Sequence, residues 1–308
     1  GVTLVGESVE FPSKDPHVSK GRFFENVVDG IPTGKVSSGW YPCYDYPEWL
    51  NFIKKIIRKY KPDADIVFWT YNWCNQPVEA RTKLIDSLPT DISLQATFEM
   101  AEQRRIGKAI GRGADYSLSF EGPGKYFSSE AVAAKRNGIP LYSMANSGGL
   151  TWDIGVIPYE PMPYQWMRRY DAMLKAHDEW GLTGIMECHH YGFTPSIISK
   201  LSKHAFMEPR EPMEDILKKI LISEYGEENY TQVDKALQLY SEAIRYYIAS
   251  DSDQYGAFRI GPSYPFNLSA GKSLPQTLGC IIPSDPEAHF GNELIEMTYR
   301  NVCDERIS

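Results

Sequence analysis

Short apolar runs alternating with amphipathic stretches organise the first two-thirds of this 308-residue chain. Residues 2–7 read as a strand that ends in Gly6-Glu7-Ser8. Residues 12–45 are a polar excursion containing Pro and Gly, too long for an ordinary connection and so read as a functional loop. A helix is predicted from Pro47, because Leu50, Ile53, Ile56, Ile57 and Tyr60 recur at helical spacing. Residues 65–73, DIVFWTYNW, form the strongest strand pattern, and period two places Val67, Trp69, Tyr71 and Trp73 on one face. A helix over 79–88 and a strand over 92–99 follow, then a helix over 101–110 and a strand over 116–120. The pattern next predicts a helix over 130–137, with Ser128 as its cap and Gly138 as its stop. After it come a strand over 140–146, a Gly- and Pro-rich loop, a helix over 164–180 and a strand over 184–189.

Strand and helix thus alternate about six times, which argues for a parallel sheet. Beyond residue 190 the pattern becomes helical, over 195–203, 214–225 and 232–248, and then rich in Gly, Pro and Ser over 255–283. No internal repeat or low-complexity tract is visible. The chain opens on a strand without an initiating Met and ends on a helical pattern, so it reads as an internal piece of a longer polypeptide, with remaining domains of that parent as expected partners, or as a trimmed chain.

Four of these strands end in a glutamate: Glu7, Glu99, Glu121 and Glu187. A carboxylate after an apolar run is poor strand chemistry. Its repetition at carboxyl ends, where parallel α/β proteins bind ligands, suggests a ring of acids around one opening. On the strand over 92–99, Gln95, Thr97 and Glu99 alternate with Leu94, Ala96 and Phe98. Ser117, Ser119 and Glu121 group in the same way. No Gly-rich phosphate fingerprint follows any strand, so a (β/α)8 TIM-type barrel is a better reading than a dinucleotide-binding sheet. That barrel, incomplete at its N-terminus, would occupy residues 1–200, with residues 201–308 a helical extension packed on it.

The composition adds aromatic rings to the acids. Phe, Trp and Tyr make up 13% of the chain, including 20 Tyr and 7 Trp. Such rings pack against sugar C–H groups while keeping a polar handle, though they serve equally well in a large core. Trp69, Tyr71 and Trp152 are candidate sugar contacts, with Asp153 beside the last of them. Asn146 is a candidate donor to a substrate hydroxyl, or merely closes a turn. The run MECHHYG gathers Glu187, His189, His190 and Tyr191. Period two puts Ile185, Glu187 and His189 on one face. The plain alternative is that Glu187 pairs with an arginine and the histidines cap a loop.

A net charge of −8 and the lack of a basic patch exclude a nucleic-acid partner. No run of 18 apolar residues exists to span a membrane. Cys43, Cys74, Cys188, Cys280 and Cys303 are odd in number and lack ligand spacing, so free thiols in a reducing, cytoplasmic compartment are expected. The sequons at Asn229 and Asn267 would matter only in a secretory setting. No cofactor or metal is expected. Glu187, His189 and His190 could share one ion only if the strand has already ended, since adjacent strand residues face opposite ways.

The run TLVGESV resembles the strand of glycoside hydrolase family 20 β-hexosaminidases that ends Gly-Gly-Asp-Glu-Val. Later order is similar, with Val67-Phe68-Trp69 on one strand and GLTWDIGVIPYEPMP ahead of GIMECHHYGFTPSIISKL. The resemblance covers residues 1–200. It implies a barrel, a glycoside substrate and Glu7 as general acid, with Glu99 or Glu187 as second carboxylate. It departs from the family at Gly6, where the family carries the Asp that orients an acetamido group. Two expectations follow: a glycosidase working by carboxylate acid/base chemistry, or a carbohydrate-binding protein on a degenerate barrel.

Overall fold

In the computed structural model the described residues are 1–6, 23–28, 31–38, 43, 46–71, 73, 77–100, 102–107, 109–112, 117–145, 161–186 and 195–247. Their centre is a five-stranded parallel sheet made of β1 (Val2–Val5), β4 (Ile66–Trp69), β5 (Ser93–Thr97), β8 (Leu141–Met144) and β9 (Leu182–Met186). The strands lie side by side in their order along the chain, with no reversal. Four helices make the crossovers: α1 (Tyr46–Tyr60), α2 (Val78–Asp86), α3 (Lys125–Asn137) and α4 (Pro163–Trp180). Right-handed crossovers that always step in one direction place all four helices on one face of the sheet. Among the described residues β1 and β9 are edges, and the strands do not close into a barrel.

Alternation along the strands sorts the two faces. Ile66, Phe68, Leu94, Ala96 and Leu141 are buried toward the helices, where Tyr46 of α1 meets Phe68 with ring centroids 5.3 Å apart. The opposite face carries Val67, Trp69, Gln95, Thr97, Met144 and Met186, and Gln95 reaches the Met186 sulfur at 3.5 Å. The predicted opposition of Gln95 and Thr97 to Leu94 and Ala96 holds. At Gly184 of β9 an added Cβ would lie 2.5 Å from the Tyr142 ring, so the pairing with β8 needs a glycine there.

Several boundaries differ from the sequence pattern. Where the pattern predicts a helix over 101–110, the described residues hold the hairpin of β6 (Gln103–Ile106) and β7 (Ala109–Arg112) instead. Gly107 turns it with φ of 56°, which outweighs the four-residue spacing of Ile106 and Ile110 that imitates a helix. A second hairpin, β2 (Phe23–Val28) with β3 (Ile31–Ser38), lies inside the excursion over 12–45, joined across Asp29-Gly30. Both hairpins are inserted where the chain leaves the carboxyl end of a sheet strand. Residues 117–120 form bends rather than a strand of the sheet. Strand β4 stops at Trp69; beyond it Tyr71 still packs on Trp69 at 4.6 Å, whereas Trp73 turns to pack edge-on against Phe68, on the helix side, at 5.6 Å. Helix α3 begins at Lys125, a turn before Ser128, and ends at Gly138 with φ of 64° as predicted.

After β9 the chain forms α5 (Ile197–Ala205), α6 (Met213–Tyr225) and α7 (Tyr230–Ala243). A capping box starts α5: the Ser199 amide donates to Ser196 Oγ at 3.0 Å, and the Ser196 amide donates to Ser199 Oγ at 2.8 Å. Tyr164 of α4 donates to Asp234 of α7 at 2.5 Å, and burial with that neighbour pushes the phenol up to about 12. Leu217, Leu221, Leu237 and Ile244 join the same hydrophobic cluster as Phe68 and Leu94.

On the outside, Asp86 of α2 ties α3 by accepting from Arg136 and from Asn137, the latter at 2.6 Å. The Arg136 and Asn137 bonds hold the Asp86 carboxyl below its usual range. A carboxyl lowered on folding contributes stability above its unfolded value and loses it as pH falls. Asp86→Asn is therefore expected to flatten the decline in melting temperature between about pH 5 and 3, by less than ~1 kcal/mol because the pair is solvated.

Candidate active site

The carboxyl edge of the sheet is built from the residues that follow each strand. At β1, Gly6 donates its amide to the Trp69 carbonyl at 2.7 Å, and its own carbonyl accepts from Trp73 Nε1 at 2.6 Å. A Cβ added to Gly6 would stand 3.0 Å from the Trp73 ring and 3.1 Å from the Trp69 carbonyl oxygen. The Trp73 indole and the Trp69 carbonyl thus leave little room for a side chain at Gly6. Gly6→Asp is expected to lower stability by about 1–3 kcal/mol through overpacking, read as a reduced melting temperature.

At β4, Trp69 and Tyr71 are packed together with centroids 4.6 Å apart, and both are buried. Trp69 Nε1 donates to Thr97 Oγ1 at 3.2 Å, so its polar handle is used within the fold. Between them Thr70 turns the other way, donating to Glu130 of α3 at 2.6 Å. Glu130 is fully buried and accepts from Arg81 of α2 at 2.9 Å. Arg81 lies 4.4 Å from the centre of the Tyr126 ring, and the Tyr126 hydroxyl donates to the Thr70 carbonyl. Burial pushes the Glu130 carboxyl up, against the opposing pull of Arg81 and Thr70. This knot fixes where the chain leaves β4.

At β5, Phe98 packs on Phe127 of α3, and Glu99 turns toward α4. There Arg169 meets it at 2.6 Å, with both side chains at most 1% exposed. Arg169 also donates to the carbonyls of Ser117 and Phe120, and Gln165 donates to that of Leu118 at 2.8 Å. The pair and these bonds tie residues 117–120 to α4. Gly122 follows with φ of +85°; a Cβ there would fall 2.3 Å from the Phe98 ring. Ser117 and Ser119 do come together, at 2.8 Å, but Glu121 leaves them. It stands half-exposed between Arg168 at 3.3 Å and Arg245 at 3.4 Å. Burial and the nearby Arg245 lower the Arg168 guanidinium.

Compared with protein-family models, curated proteins and solved structures, the chain matches none.

Of the predicted site, the structure places Glu99, Trp69, Tyr71 and Glu121. Glu7, Glu187, Asn146, Trp152, Asp153, His189, His190 and Tyr191 lie outside the described residues. Two of them adjoin the strand ends directly: Glu7 is the residue after Gly6, and Glu187 the residue after Met186. Among the described residues no group of His, Cys, Asp and Glu could hold a metal ion, and no helix is long and apolar enough to cross a membrane. A cavity of about 500 Å³ lined by Tyr164, Met167, Arg168, Asp171, Arg210 and Met213 belongs to the helix layer, where Arg210 and Asp171 neutralise each other at 2.7 Å.

The sequence reading missed Arg81, Glu130 and Arg169. Each carries the same signal, a charge on an apolar helical stripe: Arg81 with Leu84, Ile85 and Leu88, Glu130 with Phe127, Ala131 and Ala134, and Arg169 with Trp166, Tyr170 and Met173. A charge at such a position is buried and must be paired.

Proposed function

We propose that this chain is a glycoside hydrolase of β/α-barrel type, with Glu7 as general acid and Glu187 as the second carboxylate. The observation that carries the reading is that these two acids each follow, by one residue, the last described residue at the same edge of one parallel sheet. Glu99, placed inside the packing and neutralised by Arg169, serves instead as a strut for the β5 end.

The distance between the acids decides whether this chemistry is open to them. Strands β1 and β9 are four steps apart. On a flat sheet that is about 19 Å, whereas glycosidic cleavage uses carboxylates roughly 5–9.5 Å apart. Curling the sheet brings the two edges toward each other with their side chains turned inward. Two features support such curling. The strand order never reverses. The face that the crossovers leave without helices is nevertheless buried at Trp69, Gln95 and Thr97, and a parallel sheet with one bare face is rare. Trp152, Asp153, Asn146, His189, His190 and Tyr191 would line the mouth, with His189 tuning Glu187 or holding a sugar hydroxyl. The substrate is an oligosaccharide or glycoside.

Gly6 favours a second reading, a carbohydrate-binding protein without turnover, because the carboxylate that would orient an acetamido group for substrate-assisted attack is absent from that position. Calorimetry with a glycan panel, run beside a hydrolysis assay on the same glycans, separates the two. Turnover supports the hydrolase; binding without turnover supports the second reading; neither binding nor turnover removes both.

A further inference from the structure

We infer that Gln95 is a substrate-binding residue, whose side-chain amide holds neighbouring hydroxyl groups of a sugar unit seated over the middle of the sheet. Its role rests on the proposed glycoside substrate and adds to it the group that orients the sugar.

Strand β5 reads Ser93-Leu94-Gln95-Ala96-Thr97. Leu94 and Ala96 bury against the helices, which leaves Ser93, Gln95 and Thr97 as a polar line on the helix-free face. Strands of a parallel sheet ordinarily read as near-continuous apolar runs, yet all three of these polar residues are buried. Buried polar groups normally have partners. Thr97 has one, the indole N–H of Trp69 at 3.2 Å. Gln95 is 6% exposed, and among the described residues its side chain has a single partner, the Met186 sulfur at 3.5 Å. A thioether is a weak acceptor, and the amide also carries a carbonyl oxygen and a second N–H. Leaving such a group undersatisfied inside a protein is costly. Methionine or leucine would fill a similar volume without that cost, so the amide is better explained by a polar ligand than by packing.

Position fits the same role. The register aligns Val5, Trp69, Gln95, Tyr142 and Gly184 in one row across the five strands. Gln95 stands at its centre, between two rings. Trp69 packs on Tyr71 and reaches across to Thr97. The Tyr142 ring lies over Gly184, where an added Cβ would meet it at 2.5 Å, and so leans away from Gln95. Counted along the chain, Glu7 comes two residues after Val5 and Glu187 three after Gly184. A sugar within reach of those acids therefore has Gln95 beneath it. One amide offers a donor and an acceptor side by side, which matches paired ring hydroxyls and neither a charged nor an apolar group.

The test compares the wild-type chain with Gln95→Met and Gln95→Leu, which roughly keep the volume and remove the amide. Both variants are expected to melt at or above the wild-type temperature. Affinity is then measured by calorimetry (or kcat/KM where cleavage occurs) for p-nitrophenyl glycosides and for monodeoxy analogues of whichever binds best. The wild type should lose about 10-fold when a contacted hydroxyl is missing. The variants should bind the parent glycoside about 10-fold more weakly and no longer distinguish it from that analogue. A lower melting temperature in both variants would show that the amide serves the fold. Variants that keep full affinity, or a wild type that treats every deoxy analogue like the parent, would show that it reads no hydroxyl. Each of these overturns the proposal while the glycoside reading stands. A wild-type chain that binds no glycoside removes that reading, and the role of Gln95 with it.

Discussion

Replacing Arg81 by Ala should cost about 3–5 kcal/mol of folding stability, seen as a lower urea midpoint at unchanged slope. The reason is the charge that remains. Glu130 has no exposed surface, and its partners are Arg81 at 2.9 Å and Thr70 at 2.6 Å. Without the guanidinium it must take up a proton or open the packing between α2 and α3. Removing both members together, as Arg81→Met with Glu130→Leu, should recover most of the loss, because well-packed apolar groups often match a buried pair. Thr70→Val should be milder, since it removes one hydrogen bond to the carboxylate. A full loss in the double variant would mean that the pair holds something besides itself, such as the β4 carboxyl end through Tyr126 and Thr70.

Arg169→Met should be comparably damaging, again by about 3–5 kcal/mol, and it has a functional edge. Arg169 serves Glu99 and the Ser117 and Phe120 carbonyls at once. Its loss should loosen residues 117–120, seen as faster amide exchange there, as well as lowering the melting temperature. Glu99→Gln sorts strut from catalyst. A strut predicts lost stability, with any turnover falling only in proportion to the folded fraction. Turnover abolished at full stability would return Glu99 to the catalytic set.

Much of the α/β framework was legible in the sequence. The apolar run of β4, the alternation along β5 and the stop at Gly138 each follow from one local cause: burial, pleat and a left-handed turn. The misreadings also have local causes. Ile106 and Ile110 imitate helical spacing, while Gly107 closes a hairpin. The Asp29-Gly30 pair is a strong hairpin signal inside what reads as loop. Glu121 looks like a strand end only if the residues before it are a strand, and residues 118–120 bend instead. Partners are harder to read than positions. The sequence marks Arg81, Glu130 and Arg169 as charges on apolar stripes, but the pairing of Arg81 with Glu130 arises because α2 packs on α3. That adjacency is a property of strand order.

The proposed function rests on Glu7 and Glu187, the residues that follow Gly6 and Met186. Hydrolysis of aryl glycosides by the wild-type chain, Glu7→Gln and Glu187→Gln tests the account most directly. Turnover by the wild type is expected to fall at least ~10²-fold in each variant, with melting temperatures unchanged. Glycoside turnover that survives both substitutions would contradict it.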